Sequence, residues 1–478
     1  IVSSDNFYDT FKSLKSFYDV HLFESLMYNP MVEATPRDTY LKLYQAMDKV
    51  AYYNKEREFA FGISMYSNKI QNYEFMNKEN AKGWYTSDGA SYLYNDDLSH
   101  YSDDYWATVD PYKLAGITET NEARAKGSGM TTMDHSFVGS TALGNKYGTV
   151  AMDFQNWNKT LTAKKSWFIL GDRIVFLGSD IKNSTDNEAY TVVDNRKIQR
   201  ESRNRSASKN DYSVVADGRE VPVSDADNKM QVKDLLLKSQ NTQMNIGYKF
   251  LEPTTVNVKK ENRKGTWKDI NEGQSDEEVE NSFISIVQPH DATNNKYAYV
   301  LYPNRSDKEF EEEKNNDDIQ VVENSEKTQA VFDKTNQIYG VVKYDDSELT
   351  LEDGLVLKEK GIYTIKKEGN KLDIAFLNPE DPSAGLQALN TEKYELQNST
   401  EPTVENKIRY YTYLVKKQTE KETTQEQTQE QTQQSSSELT TESRSTEDSK
   451  DSNTTKEETL PATGAKNFEV YTLLGILL

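Results

Sequence analysis

The chain of 478 residues carries 78 acidic and 57 basic side chains, a formal net charge of −21 at pH 7, and no cysteine. That balance argues against nucleic acid or an anionic membrane as partner, and a polyanionic ligand would need a local basic groove. Without thiols neither a disulfide framework nor a thiolate metal site is possible. The length allows two or three domains, and short runs of Thr, Tyr, Val and Asn favour β structure over helix.

The chain opens at Ile1 and ends inside an apolar run at Leu478, so both ends read as cut from a longer protein, which also accounts for the missing signal peptide. Phe7, Phe11, Leu14, Tyr18, Leu22 and Leu26 recur at three- or four-residue spacing and predict one helical face. Pro30 and Pro36 then punctuate the segment and mark a boundary near residue 38. Phe59, Phe61, Ile63 and Met65 alternate with Ala60, Gly62, Ser64 and Tyr66, the two-residue period of a strand.

Gln71 to Trp106 is dense in Tyr, Trp, Asn, Asp and Glu. It is too polar for a core strand and too aromatic for a linker, which predicts an ordered surface loop system. Rings would stack on apolar sugar faces while amides and carboxylates take hydroxyls. The competing reading is a Tyr-rich loop packed on its own sheet. Asp96-Asp97 and Asp103-Asp104 could offer oxygens to Ca²⁺, but no binding-loop spacing supports this, so solvated carboxylates and no cofactor are expected. His100 stands beside Tyr101, yet strand neighbours point to opposite faces, and a loop histidine is the simpler reading.

Strand runs continue from there. Ser166 to Leu170 and Arg173 to Leu177 flank Gly171-Asp172, a tight hairpin connection, and Tyr297 to Tyr302 ends at Pro303-Asn304. These predict one stacked antiparallel domain over 39–312. After the charged Asp307 to Asp318 stretch, Gln329 to Phe332, Ile338 to Lys343, Gly361 to Lys366 and Leu372 to Phe376 predict a small β-sandwich over 320–415, serving as a lid or spacer.

From 416 to 459 the composition falls to Thr, Glu, Gln, Ser, Lys and Asp, which cannot bury enough apolar surface to order, so a disordered stalk is expected. Leu460, Pro461, Ala462, Thr463 and Gly464 follow, then an apolar run within 460–478 of about half the roughly 20 residues a membrane span needs. The pentapeptide resembles the sortase motif of Gram-positive surface proteins. That implies cleavage after Thr463, linkage to peptidoglycan, and an extracellular, wall-anchored protein.

Asn72-Tyr73-Glu74-Phe75-Met76-Asn77-Lys78-Glu79-Asn80, Gly83-Trp84-Tyr85-Thr86-x-Asp88-Gly89 and Tyr92-Leu93-Tyr94-Asn95 resemble the polysaccharide lyase family of bacterial hyaluronate, chondroitin AC and xanthan lyases, the streptococcal-type hyaluronate lyases above all. Trp106-x-Thr108-Val109-x-Pro111-Tyr112-Lys113, Ala151 to Phe154 with Asn156-Trp157, Leu161-Thr162-Ala163-x-Lys165 and Asp172-x-Ile174 to Ser179 continue the match in order. Ala115-Gly116-Ile117-Thr118 departs from the family's Gly-Thr-Thr turn.

The resemblance implies a mainly β fold: a β-supersandwich of antiparallel sheets, galactose-mutarotase-like, then a small β-sandwich, with the last helices of an α/α toroid at the N-terminus. It implies β-elimination at a uronic acid of hyaluronan or chondroitin, giving unsaturated products, by a monomer. The family's catalytic Tyr, His and Asn come from the toroid, and His21, His100, His135 and His290 match none of their positions. Glu74 and Asn77 match a supporting Glu-x-x-Asn pair, Glu74 tuning groups of the toroid and Asn77 binding substrate. Trp84 and Asn95 are further motif positions assigned to substrate, though Trp84 and Tyr94 read chiefly as packing. The chain alone is then expected to be inactive, and the competing class is a non-catalytic glycan-binding adhesin on the same fold.

Overall fold

The computed structural model describes residues 16–28, 37–198, 211–352, 354–387, 389, 393–396 and 402–416. The first half of the N-terminal helical stripe, both punctuating prolines, the 417–459 stalk and Leu460–Gly464 lie outside the described residues. Phe17–Tyr28 is a helix, as the spacing predicts, with Phe17, Tyr18 and Leu22 exposed.

The rest is antiparallel β structure. A four-stranded sheet runs Tyr40–Tyr44, Lys49–Asn54, Phe59–Ser64, Ala90–Tyr94. It faces a twelve-stranded sheet whose middle contains Tyr147–Gln155, Leu161–Leu170, Ile174–Asn183 and Tyr297–Pro303 as neighbours. The predicted hairpin is present: Leu170 N donates to Arg173 O at 3.0 Å, and Gly171 takes the left-handed φ of +79° that the turn needs.

Within those strands Trp167–Leu170, Ile174–Leu177 and Tyr297–Tyr302 are apolar on both faces, which is why they read as unbroken hydrophobic runs. Trp167, Ile169, Ile174, Phe176, Tyr299 and Leu301 enter the core shared with the four-stranded sheet. The alternate residues Phe168, Leu170, Val175, Leu177, Val300 and Tyr302 enter a second core on the opposite side. A strand of twenty residues, Ile246–Gly265, carries the sheet onward. Its first part pairs with Tyr297–Pro303, and its later part pairs with Val279–His290. Between the two, pairing with Lys229–Lys238 skips from Lys249 to Thr254, and Pro253, which has no N–H to donate, lies in the skipped piece.

The second core is closed by a further eight-stranded sheet that begins Ile319–Asn324, Thr328–Asp333, Ile338–Lys343, Gly361–Glu368. Ile319, Val331, Ile338, Val342 and Ile362 enter the shared core, while Phe332, Tyr339, Val341 and Tyr363 face a core of their own. Contact is close: a Cβ at Gly340 would lie 2.2 Å from the Phe168 ring. The C-terminal sandwich is therefore a structural cover for the large sheet, joined to it by apolar surface.

The charged stretch after residue 306 carries a helix, Asp307–Asn315, with a capping box between Ser306 and Glu309. Its Phe310 is buried over Gly247, and its Glu313 joins an ionic clasp. Arg173, nearly fully buried, reaches Asp318 at 2.7 Å, Glu313 at 3.2 Å and Asp333 at 3.3 Å. Arg305 reaches Asp172 at 2.6 Å. The clasp ties the hairpin of the large sheet to the first strands of the C-terminal sheet. Replacing Arg173 by Met strands three carboxylates in a dry interface, so the expected loss is about 3–5 kcal/mol. Urea unfolding should show a lower midpoint, and a midpoint unchanged from the parent would mean the clasp contributes nothing.

Candidate functional site

Glu74 and Asn77 lie in and beside a tight hairpin. Met76 and Glu79 pair as an antiparallel bridge, with Glu79 N donating to Met76 O at 2.8 Å. Asn77 and Lys78 have φ of +52° and +62°, both left-handed, as a two-residue primed turn requires. Asn tolerates that region because its short polar side chain adds little steric cost. Glu74 and Asn77 are exposed, and so are Met76 and the neighbouring Met130.

Two loops grip the hairpin from opposite sides. On one, fully buried Asn72 donates Nδ2 to Gly129 O at 3.1 Å and to Trp84 O at 3.3 Å, while its Oδ1 accepts from Thr131 N at 3.0 Å. Tyr73 Oη donates to Ser128 O at 2.6 Å. Phe75 covers Gly127, where a Cβ would sit 2.3 Å from the ring. On the other side Asn80 N donates to Asn271 Oδ1 at 2.7 Å, Ala81 N to Ile270 O at 2.9 Å and Glu272 N to Lys78 O at 3.1 Å. Lys78 pairs with Glu272 at 2.5 Å, and Lys82 and Lys126 both pair with Asp269. Three lysines thus meet two carboxylates, and with the exposed Glu74 and Glu79 the rim is nearly neutral.

A charged layer lies beneath. Asp88, Glu119 and Lys165 are all fully buried. Lys165 Nζ donates to Asp88 O at 2.8 Å and Gly116 O at 2.9 Å, bolting two turns to the strand Leu161–Leu170. Burial pulls the Lys165 ammonium down to about 7, against the pull of Asp88 and Glu119. Burial, and then the neighbouring Asp88 carboxylate, raises Glu119 well above the usual carboxylate range. Gly116 has φ +86°, and a Cβ there would meet Gly89 O at 2.8 Å. The departure from the family's Gly-Thr-Thr turn therefore retains the one residue that this packing demands.

Trp84 and Asn95, assigned to substrate by the motif, are placed inside. Trp84 is 3% exposed, and Asn95 is spent on Met244 O and Asp97 N. Neither offers a face to a sugar, which corrects that expectation. The same holds for most of Gln71 to Trp106. Tyr73, Trp84, Tyr85 and Tyr105 form an aromatic core with Val192 and Phe283, so the competing reading of a loop packed on its own sheet describes the stretch better. Tyr94, half-buried, lies 4.8 Å from Tyr101 between ring centroids.

The acidic residues diverge: Asp97 accepts from Ser99, Asp104 from the Trp267 indole at 2.7 Å, and Asp96 from Asn241. Among the described residues no cluster of His, Asp and Glu gathers as metal ligands. His100 is a buried loop residue whose Nδ1 accepts from Lys197 N, and burial holds it neutral. His135 pairs with Asp153, and His290 with Thr191. Nothing in the local sequence pattern marks Arg124 or the 266–275 loop, because Arg124 acts through rings 33 to 40 residues away and Asn271 through Asn80, 191 residues away.

Two family models match: polysaccharide lyase family 8, super-sandwich domain, over residues 39–314, and polysaccharide lyase family 8, C-terminal beta-sandwich domain, over 320–387. The chain is 37% identical over 389 residues to a hyaluronate lyase of Staphylococcus aureus (80% of this chain, 46% of that protein). It is 30% identical over 404 residues to a xanthan lyase of Bacillus sp. (83% and 42%). A solved Paenibacillus xanthan lyase superposes with a TM-score of 0.72 at 27% identity, covering 83% of this chain and 40% of that one. The chain spans about half the length of the curated relatives it matches. It belongs to polysaccharide lyase family 8.

Proposed function

We propose that this chain is the β part of a secreted, wall-anchored lyase that depolymerises hyaluronan or chondroitin by β-elimination at the uronic acid, and that Glu74 and Asn77 form one edge of its cleft. The Tyr, His and Asn that move protons come from an α/α toroid outside this chain, so the chain alone is inactive. The protein works as a monomer without a cofactor. The observation that carries this reading is the hairpin: Glu74 and Asn77 are exposed on a turn gripped from both sides. Relatives named as hyaluronate and xanthan lyases support an acidic polysaccharide as substrate.

Removing the C5 proton requires the uronate carboxylate to be neutralised, and the Asn77 amide can donate to substrate there while Glu74 orients cationic and phenolic groups facing it. In the full-length protein Glu74→Ala should lower turnover on hyaluronan about 10²-fold, the scale of losing one group placed for the transition state. Stability should change by no more than about 0.5 kcal/mol, because the side chain is exposed. Absorbance of unsaturated product is the readout. A normal rate removes Glu74 from the site, and hyaluronan binding with no unsaturated product from the parent would favour the adhesin class.

Asn77 needs two substitutions, because its turn and its amide are separable. Glycine adopts positive φ freely, whereas alanine there costs about 1 kcal/mol. If the amide touches substrate, Asn77→Gly and Asn77→Ala should raise KM alike. A parental KM in the glycine variant would leave Asn77 only a turn residue.

The stalk, the Leu460 to Gly464 motif and the apolar run stand in the order sorting requires. A flexible coil of that stalk's length reaches about 35 Å, enough to lift a folded domain from its attachment. Mass spectrometry of protein released by a wall hydrolase should find Thr463 joined to a peptidoglycan stem peptide. An unprocessed C-terminus found in the medium alone would sink the idea.

A further inference from the structure

We infer that Arg124 is a positioning residue that sets the hairpin carrying Glu74 and Asn77; this rests on the reading that those two work the cleft. Its guanidinium carbon lies 4.1 Å from the Trp157 ring centroid, 5.2 Å from that of Tyr85 and 5.5 Å from that of Trp84. Its backbone N donates to Tyr112 Oη at 2.7 Å. Arg124 is thereby fixed to the aromatic core, and its side chain is 8% exposed.

From that fixed point one bond reaches outward. Nη2 donates to Ser128 O at 2.7 Å, and the same carbonyl accepts from Tyr73 Oη at 2.6 Å. The carbonyl's two lone pairs therefore join Arg124 to the residue immediately before Glu74. The turn beyond lies flat on the guanidinium: Gly129 has φ +68°, and a Cβ there would be 2.4 Å from Nη2 and 2.6 Å from Trp157. Gly129 O and Thr131 N are in turn the groups that hold Asn72. Displacing Arg124 would loosen Ser128, Gly129 and Thr131 together, and with them both anchors at the base of the hairpin.

A second role is available, since Asp88 and Glu119 both feel the Arg124 charge. Lysine separates the two roles. It keeps the charge but has no flat face to lie among three rings, so it cannot hold a donor at Ser128 O from the same fixed point. A charge-balancing role is rescued by Arg124→Lys, whereas a positioning role is not.

The test is a double-mutant cycle in the full-length protein. Arg124→Lys should lower turnover on hyaluronan about tenfold. In the Glu74→Ala background the same change should cost less than twofold, because the group it aligns is gone. Tyr73→Phe, which removes only the hydroxyl on Ser128 O, should lower turnover in the same direction and serves if Arg124→Lys does not fold. Equal fold-losses in both backgrounds, or parental turnover in Arg124→Lys, would overturn the inference. Amide hydrogen exchange distinguishes its failure from failure of the lyase reading. Even if the parent makes no unsaturated product, Arg124→Lys should speed exchange at the Glu79 and Thr131 amides at least tenfold, and unchanged exchange there counts against Arg124.

Discussion

The architecture follows from one constraint: the strands Tyr147–Gln155, Leu161–Leu170, Ile174–Asn183 and Tyr297–Pro303 carry apolar side chains on both faces. An antiparallel sheet with one wet face alternates apolar and polar residues, and Trp167–Leu170, Ile174–Leu177 and Tyr297–Tyr302 do not. Each face must be covered, one by the four-stranded sheet and the other by the C-terminal sheet. The fit of Gly340 against Phe168 and the Arg173 clasp are consequences of that cover. Because the sheet is held from both sides, it can carry a buried ammonium. Lys165, among Phe154 and Trp167, uses its donors to fix the turns at Asp88 and Gly116.

Much of the fold was legible in the sequence because local period and turn chemistry agree with tertiary burial. Gly171-Asp172 marks a hairpin by its residues alone, and Tyr297 to Tyr302 is a strand under any pairing. The helix in the charged run after residue 306 was missed because the run is almost wholly polar. Ser306 and Glu309 carried the better signal, a capping box, and Phe310 was the one apolar residue needed to dock the helix.

The aromatic stretch was harder for a different reason. Composition cannot tell a stacking platform from a second core, since both consist of rings and hydrogen-bonding groups. The partners decide it. Val192 and Phe283, far along the chain, supply the apolar wall that draws Tyr73, Trp84, Tyr85 and Tyr105 inward. What stays outside is narrower than the motif: Glu74 and residues 76–80, around a turn whose Asn77 and Lys78 are left-handed. The Glu-x-x-Asn spacing was visible, yet its geometric meaning was not. Glu74 lies on one arm and Asn77 on the turn, so a rigid hairpin fixes their separation where a loop would not.

Charge at that turn bears on how it could meet a polyanion. The chain's net −21 opposes approach at long range, but screening confines such repulsion to about 8 Å at physiological salt. The charges at the rim are Lys78, Lys82 and Lys126, which Asp269 and Glu272 engage, and the exposed carboxylates Glu74 and Glu79 of the hairpin itself. A nearly neutral rim neither repels a uronate strongly nor holds it by Coulomb attraction. On the proposed function, affinity for an acidic chain would come from cations facing the hairpin, and the hairpin would contribute direction through the Asn77 amide and the Glu74 carboxylate. That division suits a wall made of β structure, whose backbone bonds fix position well but whose paired lysines have little charge left to offer.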